Sequence, residues 1–178
     1  RPFSDEASLA GATAFSSPYW LLAHMLAMLA FILLAFGLHA LFLSASATRA
    51  EPLAYRAFAF ALLGAGLILP FYGGEAYGLH AIGQEALRQG DEALLGLAQV
   101  VRSGAGLYLG LLGFLLLAAG VIAAAIIMWK SGTYPRWSGI PLALGTALYI
   151  PQFFGTQPLR VAHGALMAIG CAWMAVSL

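Results

Sequence analysis

The chain has 178 residues, 62% of them hydrophobic and only 8% charged, with a formal net charge of +1 and a mean hydropathy of +0.88. A soluble domain devotes about a quarter of its residues to charge, so this composition describes an integral membrane protein. A balance so close to neutral, with no basic stripe, excludes nucleic acid as a partner, and a lone cysteine, Cys171, excludes an intrachain disulfide and a thiolate metal cage.

Residues 1–17 hold no long apolar core and are expected to form an extracytoplasmic N-terminal segment. Residues 18–178 are expected to form a single all-α transmembrane domain. Only helices and closed barrels satisfy the backbone in lipid, and no alternating ten-residue strands occur. Apolar stretches of about 20 residues predict a bundle of five spans. The first covers 18–44, with Pro18 suited to a first helical turn and Tyr19 and Trp20 to the interface. The second covers 55–82, where Pro70, Gly73 and Gly74 predict a kink or local unwinding. Residues 84–103 read as an outer-surface loop or a short amphipathic surface helix, with Asp91 as N-cap and Leu94, Leu97, Ala98 and Val101 on one face. The third span, 104–129, exits at Trp129 and Lys130; the fourth, 137–154, carries Pro141 and Pro151; the fifth covers 158–178. Gly64, Gly66, Gly106, Gly110, Gly113, Gly120, Gly164 and Gly170 supply small surfaces for close approach, within the bundle or against other membrane subunits.

Arg49, Arg56, Lys130 and Arg136 lie in short loops at one side, and Arg1, Arg88, Arg102 and Arg160 at the other. Basic residues tight against helix ends weigh most in topology, which predicts an outside N-terminus and a cytoplasmic C-terminus.

Depth along the spans then places the polar residues. At 1.5 Å per residue, His24, Glu75, His80, Arg160 and His163 all fall toward the outer end, while His39 falls toward the inner end. One reading of this cluster is an ion pair between Glu75 and Arg160, with the histidines bonded to nearby polar groups. The other is a cofactor site, with His24, His80 and His163 as candidate haem or metal ligands, Glu75 as a further metal ligand, and haem b or a transition metal as cofactor. The separation of His24 and His39 resembles the placement of haem ligands on one helix of two-haem membrane cytochromes b, but His39 has no second histidine at its end.

The C-terminal third, with Pro135, Arg136, Trp137 and Gly139 entering one helix and Arg160, Ala162, His163 and Gly164 opening the last, is similar to uncharacterised bacterial multi-pass membrane proteins. That resemblance implies a multi-pass protein of the bacterial cytoplasmic membrane and no particular activity. The expected function is a non-catalytic accessory or structural subunit of a larger membrane complex. Two other classes stay open: a redox protein holding a b-type haem or metal at the outer histidines, and an enzyme acting there on a lipid or quinone-like substrate.

Overall fold

The computed structural model describes residues 5–178; the first four residues of the N-terminal segment lie outside the described residues. Every regular element among them is helical. Four helices are long and apolar enough to cross a membrane: Pro18–Ser44, Glu51–Gln89, Gly104–Ser131 and Gln157–Ser177. The chain clusters into two compact units, one of Arg1–Ala30 and Leu67–Gly110, the other of Phe31–Gly66 and Leu111–Leu178.

The first unit is organised around a short helix that hydropathy does not reveal. Helix α1 (Leu9–Ser16) precedes the first long helix, α2 (Pro18–Ser44). The next helix, α3 (Glu51–Gly73), contains Pro70 and runs through a π-helical turn (Gly74–Gly78) into α4 (Leu79–Gln89). The local unwinding expected near Pro70, Gly73 and Gly74 takes this form. Proline withdraws one backbone donor and crowds the carbonyl four residues earlier, and glycine tolerates the resulting wide turn. Leu79 N–H reaches back to Gly74 O rather than to Glu75 O.

Helix α4 ends at Gly90, whose φ of 66° is the left-handed cap that glycine adopts without Cβ strain. Asp91 then caps a 3-10 turn (Glu92–Gly96), its carboxylate accepting from Ala93 N–H at 2.9 Å, as expected. Helix α5 (Leu97–Val101) follows. The surface segment is thus two short helical pieces packed on α1 and α4. Leu95 and Ala98 are buried, with Leu94 and Val101 packed beside them, while Leu97 is exposed. The tighter 3-10 winding before it rotates Leu97 off the face that a uniform α-helix would give it.

The core of this unit joins Ala12, Phe15, Trp20, Leu79, Ala86, Leu95 and Ala98. Gly83 makes it fit: a Cβ there would lie 2.7 Å from Phe15 Cβ and 2.8 Å from Ala12 O. Phe15 in consequence is only 1% exposed.

The second unit holds the remainder of α2 and α3, most of α6 (Gly104–Ser131), α7 (Ile140–Ala147), a 3-10 turn (Pro151–Phe154) and α8 (Gln157–Ser177). Helices α3 and α6 meet backbone to backbone at Gly64, against Gly113 and Leu117, and at Gly120, against Ala57 and Ala61. Such intimacy maximises dispersion where lipid offers no hydrophobic drive. Of the other glycines expected on packing faces, Gly110 meets Phe71 and Gly170 meets Leu142, whereas nothing lies within 4 Å of a Cβ at Gly66, Gly106 or Gly164.

The fourth expected span, 137–154, does not form a continuous helix, and five full-length spanning helices are not present among the described residues. Pro141 sits in the first turn of α7, where a missing donor costs nothing. Pro151 has no N–H for Ala147 O, and Tyr149 N–H turns to Thr146 O three residues back. The segment still climbs beside α6. Ser138 lies by Met128 (Oγ to Sδ 3.9 Å) and Tyr149 stacks on Phe114 at 4.5 Å between ring centroids, and the stretch of α6 between those two residues rises about 21 Å. Helix α8 returns antiparallel, pairing Met167 with Gly145 and Gly170 with Leu142.

Candidate functional site

The residues that the hydropathy of 69–83 leaves unexplained are Glu75 and His80. Glu75 lies within the π turn, beside Gly74 and Gly78, where a Cβ would lie in ordinary contact with the Val101 side chain, at 3.4 or 3.6 Å. Val101 packs beside these glycines, and the next residue, Arg102, reaches Glu75. The guanidinium grips the carboxylate with both edges, Nε to Oε1 at 2.6 Å and Nη2 to Oε2 at 3.1 Å. Its remaining nitrogen, Nη1, donates to Glu6 Oε2. Arg102 and Glu75 side chains are only 18% and 13% exposed, so the pair is largely withdrawn from solvent. A forked guanidinium suits this double duty better than an ammonium would.

His24 Nε2 stands 4.0 Å from Glu75 Oε2. The ring is oriented by its own helix: Nδ1 lies 2.8 Å from Trp20 O, and since a carbonyl only accepts, Nδ1 carries the proton. Trp20 contributes a second bond, its indole N–H donating to Glu75 O at 2.9 Å. That carbonyl is the one from which the π turn diverts Leu79 N–H.

His80 does a related task at a different place. Its Nδ1 donates to Phe15 O at 2.9 Å, satisfying a carbonyl in the last turn of α1, while Glu92 Oε1 accepts Leu9 N–H at the first turn, also at 2.9 Å. Helix α1 is therefore tied at both ends by side chains of other elements, and through Glu6 by Arg102 as well. Replacing His80 with leucine leaves Phe15 O without this donor; the expected cost is about 1–3 kcal/mol. Faster amide hydrogen exchange across residues 9–16 measures it, and unchanged exchange there refutes the assignment.

Of the predicted site residues, the structure brings together His24 and Glu75, with His80 five residues further along the same helical rod. The guanidinium on Glu75 is that of Arg102, whereas the sequence reading paired Glu75 with Arg160. Arg160 and His163 belong to the second unit. There Arg160 Nη2 donates to Phe153 O at 2.5 Å, and His163 Nε2 donates to Gly145 O at 2.8 Å. Gly145 O is the carbonyl that Tyr149 N–H abandons at the break, so His163 replaces a lost backbone donor. Tyr149 packs edge-on against the same imidazole at 5.5 Å.

All three predicted ligand histidines thus spend one ring nitrogen on a backbone carbonyl. No group of three or more His, Cys, Asp or Glu side chains that could hold a metal ion occurs among the described residues. His39 packs between aromatic rings, 4.8 Å from Phe58 and 6.1 Å from Phe42. Sequence reasoning missed Glu6, Glu92 and Arg102 as members of the polar network. The only available signal was the acidic and basic content of residues 5–6 and 85–102 flanking two apolar spans. No family model, curated protein or solved structure matches this chain.

Proposed function

We propose that the protein is a non-catalytic accessory or structural subunit of a larger complex in the bacterial cytoplasmic membrane. The polar network acts as a fastening, and it sits on the extracytoplasmic side. The observation that carries this reading is the commitment of Arg102 to both Glu6 and Glu75, which spends the site's charges on holding α1 and α5 to the π turn. A guanidinium locked between two carboxylates is built to position backbone elements rather than to exchange protons with a substrate.

The uneven burial of the spans supports the same reading. More than half of the apolar window of α6 is buried within the chain, at 56%, but only 11% of that of α8. Helix α8 consequently presents Leu159, Val161, Ile169 and Val176 outward, a surface for lipid or for another membrane subunit. The test is extraction of native membranes into polymer-bounded discs without detergent, followed by mass measurement. A particle heavier than one chain with its lipid, and reduced to that mass by Ile169→Arg, is the expected result. A particle of one chain and lipid alone overturns the proposal.

A further inference from the structure

A second site lies in the second unit, at the turn that joins α2 to α3. Phe42, Thr48, Glu51, Pro52 and Tyr55 line an open depression of about 380 Å³. Phe42 and Tyr55 meet edge to face with ring centroids 5.7 Å apart, which makes one wall aromatic. The turn beneath is held by its own bonds: Thr48 Oγ1 donates to Ala45 O at 2.6 Å and accepts from Ala50 N–H at 3.2 Å. Glu51 Oε2 accepts from Ala47 N–H at 2.6 Å, fixing Ala47 at a φ of 61°.

The second oxygen of Glu51 has no protein partner among the described residues. A half-buried carboxylate beside two aromatic rings, at the ends of two membrane-spanning helices, stands where lipid headgroups are concentrated. An anion against π faces recognises an organic ammonium, which gains from the charge and from the ring quadrupoles together. Arg49 and Arg56, both exposed, flank the depression in sequence and fall at the headgroup level, where a phosphate of the same lipid would meet them.

We propose that this depression binds the ammonium of an aminophospholipid headgroup, with Glu51 as counter-ion and Phe42 and Tyr55 as its aromatic wall. Basic residues alone would favour anionic lipid, so preference for a headgroup bearing an amine is the property that Glu51 and the rings add. The inference does not rest on the accessory role argued above, because it concerns another turn and another readout.

The experiment uses the full chain in discs of equal phosphatidylethanolamine and phosphatidylglycerol, with native mass spectrometry of the lipids retained on release. The expected result is retention of phosphatidylethanolamine over phosphatidylglycerol by about fivefold to tenfold. That preference falls to near parity in Glu51→Gln, which keeps an oxygen for Ala47 N–H, and falls partway in Tyr55→Leu, which keeps apolar bulk without the ring. Equal or better retention of phosphatidylglycerol by the unaltered protein overturns the proposal, as does an unchanged preference in both variants. Soluble phosphoethanolamine that binds the delipidated protein as tightly as the lipid does overturns the assignment to a membrane lipid.

Discussion

Replacing Arg102 with glutamine is expected to destabilise the protein by about 3 kcal/mol, because removing one partner from a largely buried charge pair strands the others. Here Glu6 and Glu75 both lose their ion pair with Arg102. The companion substitution Glu75→Gln, made in the Arg102→Gln background, is expected to return more than half of the loss. A neutral amide pair can still bridge the π turn and the chain beyond α5, and the uncompensated charge at Glu75 is gone. Glu75→Gln alone leaves Arg102 paired with Glu6 and is expected to cost less than Arg102→Gln. Denaturation midpoints of the three variants in one detergent form a coupling cycle. Additive effects of the two substitutions would show that the pair contributes nothing as a unit.

The second large effect is steric, and its sign depends on position. Gly64→Ala and Gly120→Ala are each expected to cost about 1–3 kcal/mol through overpacking. The new Cβ would lie 2.7 Å from Gly113 O in the first and 2.6 Å from Ala57 O in the second, and backbone atoms cannot rotate away as a side-chain tip can. Gly66→Ala and Gly106→Ala introduce the same methyl where nothing lies within 4 Å. Those two are expected to be neutral or stabilising by up to about 1 kcal/mol, since alanine favours helix over glycine. Resistance to unfolding by a denaturing detergent ranks the four. A similar loss in all of them would place the glycines' importance in backbone flexibility rather than in helix approach.

These contrasts mark the limit of what the one-dimensional pattern carries. Apolar length locates a span well. The expected 18–44, 104–129 and 158–178 correspond within two residues to Pro18–Ser44, Gly104–Ser131 and Gln157–Ser177. The stretch 137–154 is equally apolar, but hydropathy does not register that Pro151 withholds a donor and that Gly145 O must then be satisfied by His163. Helix α1 was invisible for the opposite reason. Its eight residues are too few to form alone in water, and it exists through partners some 65 to 85 positions away, His80 and Glu92.

The site shows the same division. Depth, which follows from 1.5 Å of rise per residue, assigned His24, Glu75, His80, Arg160 and His163 to one end of the chain's spans. It carries no information about which of several residues at that level are side by side. Arg102 meets Glu75 where Val101, one residue before it, packs beside Gly74 and Gly78, a contact that hydropathy does not record.

The π turn at Gly74–Gly78 also acts as an angular offset within a rod that otherwise looks uninterrupted. Winding about one additional residue into a single turn sets everything beyond it back by roughly 100° relative to an unbroken α-helix. Gly83 faces Phe15 and His80 faces the end of α1 only in that set-back phase. Straightening the ladder of bonds with the same number of residues would turn those two residues away from α1, whereas removing one residue between positions 74 and 78 as the turn straightens would leave them facing it. The wide turn thus absorbs one residue of chain length, and what α1 depends on is the bond pattern of this turn.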